Sequence, residues 1–281
     1  MEYKYNEQEY GKYIYENGFY TRFISYELTV LVKYLKSIGK NKKETEQFLY
    51  KFCKQHIEGF NKVKYYKTID KSILDGRKKP FIVVKNIPIL LKELESIQNL
   101  DLDDEYKKLL LALLVNRKIA YEINKINNGD NAHISTYFNG TKKRFREVFK
   151  SANITKKGYK IDDMINFLVQ NNVIESIIKG DIVLSYMCDI YDTEEDNDKK
   201  IIYQYSNDGV FVEISDFENI GYVFEYYLGN KKIKMCEVEK CNVLFKKKSN
   251  NQKYCAECFK KKRKNDINKN AKEYYYDNKN K

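Results

Sequence analysis

The sequence predicts a mainly α protein with small β elements, and three observations carry that expectation. Apolar residues recur at helical spacing from Asn6 to about Lys79 and again from Asp101 to Lys125. The strand-like runs are short and gather mostly between Val173 and Ile214. Four of the six cysteines form two close pairs within residues 231–281, which predicts a small metal-held unit. The chain divides into four segments: a helical domain over 1–100, a middle domain over 101–188, an acidic linker with a β-hairpin and a helix over 189–230, and a cysteine-rich finger with a basic tail over 231–281.

In the first segment Phe23, Tyr26, Leu28, Val30, Leu31 and Leu35 lie on one broad helical stripe. Phe48, Leu49, Phe52 and Ile57 repeat the theme between Thr45 and Ile57. Gly18, Gly39 and Gly59 stand where these helices should end. Phe81–Val84 is a short strand-like run, and Pro88 opens a further helix, Ile89 to Ile97, with proline near its first position. Cys53 and His56 share a helix face at i, i+3, but two ligands alone do not make a metal site, so they read as an ordinary pair.

The second segment opens on the strongest helix, Asp101 to Lys125. Asp101, Asp103, Asp104 and Glu105 suit its positive N-terminal end, and a leucine-rich core runs from Leu109 to Val115. After a linker at Asn127–Asp130 comes a short helix, Thr141 to Lys150, with Phe145, Val148 and Phe149 on its apolar side. A turn at Gly158, a helix from Lys160 to Gln170 and two strands around Lys179-Gly180 follow. This order resembles a winged helix-turn-helix. The resemblance implies Lys160–Gln170 in a major groove, Lys179 on the wing, and Lys142, Lys143, Arg144 and Arg146 near the phosphate backbone. Asp162 and Asp163 at the start of the presumed recognition helix weigh against groove contact and suit the helix N-terminus instead. Winged helices also serve as protein-docking modules.

Asp189–Asp198 reads as an exposed acidic linker; with no apolar framework around it, a metal-dependent nuclease site is not expected. Ile201–Tyr205 and Val210–Ile214 flank Ser206-Asn207-Asp208-Gly209, a hairpin signature. Ser215 or Asp216 caps a helix that runs to Leu228 and ends at Gly229.

In the last segment, Cys236-x4-Cys241 is followed after 13 residues by Cys255-x2-Cys258. Two short cysteine pairs each supply one edge of a tetrahedron of soft donors, which predicts one structural Zn²⁺. The intervening Asn242–Tyr254 is expected to form a hairpin turning at Ser249-Asn250-Asn251, with Val243, Phe245 and Tyr254 covering the metal. This pattern resembles a treble-clef-type zinc finger of the kind found in bacterial and phage regulators, and the CGNR zinc finger of certain transcription regulators shares its C-x4-C opening. In this chain Phe259–Arg263 stands where that family carries Gly-Asn-Arg. The resemblance implies a zinc knuckle, a β-hairpin, and a helix whose first turn carries Cys255 and Cys258.

Charge is distributed in blocks. The net charge of +12 resolves into +11 over residues 1–180, −10 over 181–230 and +11 over 231–281. Eight lysines and arginines against one acid lie between Thr141 and Lys160, and an unbroken run of Lys260, Lys261, Lys262, Arg263 and Lys264 comes one residue after the last cysteine. Only six of the 52 basic residues are arginine, which favours phosphate contact over reading of guanine edges. A solvated, frayed lysine-rich tail is the bland alternative for the C-terminal run.

Two histidines and the lack of a G-x4-G-K-[ST] loop leave little for catalysis, and a closed four-thiolate shell marks a structural ion, so no enzyme is expected. The longest apolar run, Leu109–Val115, is far too short to span a membrane, and the first residues lack the features of a signal peptide, so a cytoplasmic location is expected. The favoured function is nucleic-acid binding, with DNA ahead of RNA, in transcription control or replication of a phage- or plasmid-type element. An RNA-binding role, drawing on Tyr274–Tyr276, and a protein-interaction adaptor such as an anti-defence factor are the alternatives, and the N-terminal helices are a candidate homodimer surface.

Overall fold

The computed structural model describes residues 5–129, 134–155, 158–177, 181–191, 200–201 and 209–279. The chain is mainly helical with small sheets and forms two compact units. The first comprises Met1–Lys85 with Ala120–Ala132, and the second Asn86–Ile119 with His133–Lys281.

Four whole helices, with the end of a fifth over 120–128, build the first unit: α1 (Glu7–Asn17), α2 (Ile24–Ser37), α3 (Lys42–His56) and α4 (Lys62–Lys78). Asparagine side chains start three of them. Asn6 accepts from the Glu9 N–H, Asn61 from those of Val63 and Lys64, and Asn41 forms a reciprocal capping box with Glu44. Gly18 ends α1 at φ +89°, as its position in the sequence predicts. Tyr10, Ile14, Leu28, Leu31, Leu35, Leu49, Phe52, Ile69 and Ile73 form the core. The helices approach closely at two glycines: a Cβ on Gly11 would lie 2.7 Å from that of Tyr34, and one on Gly76 2.7 Å from the Thr29 carbonyl.

Phe81–Val84 does not form a strand. Its backbone instead docks on α1, with Val83 bridging Asn6 and the Ile82 N–H donating to Glu7 Oε2 at 2.8 Å. Glu7 also holds a buried ion pair with Lys33 at 2.5 Å.

The boundary expected at residue 100 falls at about residue 85, for a reason remote in sequence. Residues Ile87–Leu90 form a strand, β1, and Val210–Ile214 form β7, and the two pair antiparallel with Ile87 opposite Ile214. The expected helix therefore begins later, as α5 (Leu91–Gln98), and Pro88 lies in the strand rather than at a helix start. Strand β7 is satisfied by β1. The described part of its expected hairpin partner is β6 (Lys200–Ile201), which pairs with β2 (Ile134–Ser135). Of the expected exposed acidic linker Asp189–Asp198, Ile190 and Tyr191 are buried instead, and 192–198, like the turn residues Ser206–Asp208, lies outside the described residues.

Helix α6 (Asp104–Asn128) starts with the expected acids and gives its first part, up to Ile119, to the second unit. Leu109–Val115 is wholly buried there. Lys118, also buried, extends its ammonium to Glu93 Oε1 at 2.6 Å and to the Pro88 carbonyl. Glu93 in turn accepts from the Leu90 N–H at the start of α5 and from the Tyr191 hydroxyl. One ion pair thus ties a helix start, a strand and α6 together.

The rest of the second unit keeps the expected run of two helices and two strands but adds a strand ahead of them, and Ser185–Asp189 forms a 3-10 turn where the last strand was expected to continue to Tyr186. β3 (Tyr137–Phe138), α7 (Lys142–Ser151), α8 (Ile161–Gln170), β4 (Glu175–Ser176) and β5 (Ile182–Val183) succeed one another, and the three strands form an antiparallel sheet in the order β3-β5-β4. Thr141 caps α7 by accepting from the Arg144 N–H, and Val148, Met164, Leu168 and Ile174 are buried. Helix α9 (Gly221–Tyr227) starts later than expected because Asp216 closes a local turn instead, accepting from the Glu218 N–H. At Gly221 a Cβ would lie 1.9 Å from the Ala152 carbonyl oxygen, so α9 meets the end of α7 through glycine.

Strands β8 (Ile233–Met235) and β9 (Leu244–Lys246) pair antiparallel, and α10 (Ala256–Lys279) follows. No helix among the described residues is long and apolar enough to cross a membrane.

Candidate metal centre and basic surfaces

The four cysteines predicted as ligands meet at one point: Cys236, Cys241, Cys255 and Cys258 have sulfurs that all lie within 4.8 Å of one another. Local structure explains the convergence. Cys236 follows β8 directly, and its N–H donates to the Val243 carbonyl, so the hairpin delivers the first ligand from its tip. The chain then reverses between Cys236 and Cys241. Lys240 at φ +63° and Asn242 at φ +49° make that reversal, and the Cys241 N–H donates to the Val238 carbonyl. Cys255 immediately precedes α10 and Cys258 lies in its first turn, where i, i+3 spacing puts both sulfurs on one face.

The hairpin differs from the expected one. Its arms are β8 and β9, so the Cys236–Cys241 loop is its tip, whereas Ser249-Asn250-Asn251 turns the chain from β9 toward α10. Ile233 and Leu244 are both buried, and in the pairing Met235 stands opposite Leu244, so one arm lies outside Asn242–Tyr254.

A metal with about 2.3 Å bonds to four tetrahedral sulfurs requires sulfur–sulfur edges of about 3.8 Å. Cys241 and Cys255 lie 3.8 Å apart, and Cys241 and Cys258 3.4 Å. The set can hold a metal ion and is compatible with structural zinc. Cys255 donates its N–H to the Cys236 sulfur at 3.4 Å. Burial pushes the Cys236 thiol up, but the N–H groups of Cys255 and Val238 and the adjacent thiols outweigh it and hold Cys236 below the usual thiol range. Burial pushes Cys258 up to about 11 and raises Cys241 further. Phe245 is buried against the cluster, and Val243 and Tyr254 pack on it, as expected. Ser215 Oγ donates to the Cys241 carbonyl at 2.8 Å, and α9 packs on both hairpin strands, which fastens the cluster to the rest of its unit.

The expected basic residues lie in two exposed groups. Lys142, Lys143, Arg144 and Arg146 are exposed on α7, and Lys160 is exposed just before α8. Lys260, Lys261, Lys262, Arg263 and Lys264 are exposed on α10, where Lys262 donates to the Tyr254 hydroxyl at 3.0 Å. Lys179 and the side chains of Tyr274–Tyr276 lie outside what the structure describes. Asp162 and Asp163 are exposed on the first turn of α8, beside exposed Phe167 on the same helix. Cys53 is buried in the first unit while His56 is exposed, in keeping with an ordinary pair.

Sequence reasoning missed Arg117. Its only trace was the Arg117-Lys118 doublet that interrupts the apolar run of α6. Arg117 is half-buried, and its Nε–H donates to the Ser135 carbonyl at 2.8 Å. No family model matches this chain, and no curated protein or solved structure is significantly similar to it.

Proposed function

We propose that the protein is a non-enzymatic nucleic-acid-binding protein that holds structural zinc and grips duplex DNA through its phosphates. The observation that carries this reading is the unbroken exposed run Lys260–Lys264, which follows directly from a helix turn anchored by two cysteines of the metal cluster. A metal fixes the base of α10, so the cationic run is presented on a held helix instead of a free tail. Four thiolates and Zn²⁺ contribute −2 together, which lowers the charge of the 231–281 block from +11 to +9.

The second unit supports the same reading. The order α6, β3, α7, α8, β4 and β5, with sheet order β3-β5-β4, resembles that of a winged helix-turn-helix and supports this reading. The exposed carboxylates of Asp162 and Asp163 disfavour α8 as a groove reader, whereas α7 presents Lys142, Lys143, Arg144 and Arg146 to solvent. Phosphate contact through α7 and α10 is therefore favoured over base reading through α8. Such a protein suits transcription control or replication of a mobile element.

Fluorescence anisotropy with duplex DNA, single-stranded DNA and single-stranded RNA at several salt concentrations tests the reading. Duplex binding is expected to weaken with salt. Exchange of Lys260, Lys261, Lys262 and Lys264 for glutamine should reduce the log–log slope by roughly 3.6, at about 0.9 per phosphate contact. Preference for RNA would replace DNA as the ligand. No affinity for any of the three at moderate salt would overturn the reading and leave a protein-interaction adaptor.

A further inference from the structure

Helix α4 turns a row of cations to solvent. Its buried residues, Ile69, Ser72, Ile73 and Gly76, hold one face against the core of the first unit. On the opposite face Lys64, Lys67, Lys71 and Lys78 follow one another in steps of three or four residues, with Leu74 filling the one remaining step, and all four lysines are exposed. At 1.5 Å per residue the row is about 21 Å long. The acids of α4, Asp70 and Asp75, are half-buried and flank the row.

The row begins at a group of rings. Tyr50 on α3, Phe60 in the connecting loop and Tyr65 on α4 follow one another with centroids 6.5 Å and then 5.4 Å apart. The Lys62 ammonium lies over the Tyr50 ring at 4.6 Å, and that of Lys64 over the Tyr65 ring at 5.7 Å. Both ring faces are thus open to a group arriving from solvent, and a face that attracts a cation also stacks a base. Tyr66, one turn beyond Lys62 on the same side of the helix, is 54% exposed. Lys64 belongs to the row and to the rings, so the two features are continuous.

Charge decides the kind of partner. Residues 1–85 carry 18 basic against 10 acidic side chains, so a second copy would set lysine against lysine, whereas a polyanion gains at each one. The rings narrow the choice to unpaired bases, because those of a duplex are already stacked on one another.

We propose that the outer face of α4 binds single-stranded DNA, with Lys64, Lys67, Lys71 and Lys78 on its phosphates and Tyr50 and Tyr66 stacking bases at the end of the row. This goes beyond the duplex reading, which rests on α7 and α10 in the second unit. Lysine is a point charge and a ring face suits every base, so binding is indifferent to sequence.

The test uses the full chain in anisotropy titrations with a pyrimidine single strand and with a duplex. Exchange of the four lysines for glutamine should lower the single-strand salt slope by roughly 2.8, at about 0.7 per phosphate contact, and leave the duplex slope at its original value. Tyr66→Ala should weaken single-strand binding about 5- to 150-fold, and Tyr66→Phe should bind like the unsubstituted protein. A single-strand slope unmoved by the glutamines, an equal fall in the duplex slope, or undiminished affinity in Tyr66→Ala would overturn the proposal.

A second measurement on the unsubstituted protein does not depend on any variant folding. A DNA strand bearing iodouracil is cross-linked by light, and the adducts are located by mass spectrometry. Adducts at Tyr50, Phe60, Tyr65 or Tyr66 support the site, and adducts confined to α7 and α10 overturn it. Duplex binding without single-strand binding sinks this proposal alone, whereas single-strand binding without duplex binding sinks only the duplex reading.

Discussion

Removal of the metal should unfold the finger and release α10. The apolar support around the four sulfurs is small: Phe245 is buried, and Val243 and Tyr254 are only partly so. The hairpin strands are three residues each, too short to hold themselves. Binding of Zn²⁺ to four thiolates contributes apparent free energies of about 10–16 kcal/mol at neutral pH in comparable small fingers, far beyond what those contacts supply. The first turns of α10 carry five consecutive cations, and like charges at i, i+4 destabilise a helix. Without its anchored start, an isolated helix with this pattern is marginal in water, and α10 is roughly a sixth of the helical residues. Elemental analysis should find one equivalent of zinc in the intact protein and less in Cys255→Ser. Chelation should reduce the far-UV circular dichroism by up to that sixth and open residues 236–258 to proteolysis. A metal-free protein with an unchanged spectrum and unchanged protease resistance would refute the argument.

Three further expectations concern the folded chain. Gly221→Ala places a methyl 1.9 Å from the Ala152 carbonyl oxygen, so urea titration should show a loss of at least about 2–3 kcal/mol, and a loss under 1 kcal/mol would contradict the close approach of α9 and α7. Lys118→Met strands the fully buried Glu93 carboxylate and should cost about 3–5 kcal/mol; the double replacement with Glu93→Leu should recover part of that, and strict additivity would deny the ion pair. In the first unit burial lifts Cys53 from 9 to about 12, so the folded state holds its proton while an unfolded chain releases it. Stability from this group is therefore present below pH 9 and lost as pH rises from 9 toward 12. Cys53→Ala should flatten the alkaline limb of a stability–pH curve, and an unchanged limb would rule that contribution out.

Features that depend on neighbouring residues were legible in the sequence. Gly18 at the end of α1 and the short helix beginning after Thr141 each follow from residues within four positions, because helix starts and stops are decided by local hydrogen bonds and allowed dihedrals. The cysteine spacing likewise determined which four sulfurs gather, since each pair is positioned by one turn of chain. The partner of a strand is a different matter. Alternation in Val210–Ile214 shows that the segment suits a sheet, but not that Ile87–Leu90, over a hundred residues earlier, supplies its hydrogen bonds. The same limit hid the arms of the finger hairpin and moved the start of α5. It also hid the hydrogen bond from Arg117 to the Ser135 carbonyl, which adjacency in sequence does not reveal. The sequence alone determined the run of helices and which four cysteines gather, because these are short-range. Strand pairing, the glycine contacts at 11, 76 and 221 and the buried Glu93–Lys118 pair were decided by the tertiary structure, because packing and electrostatics act across space.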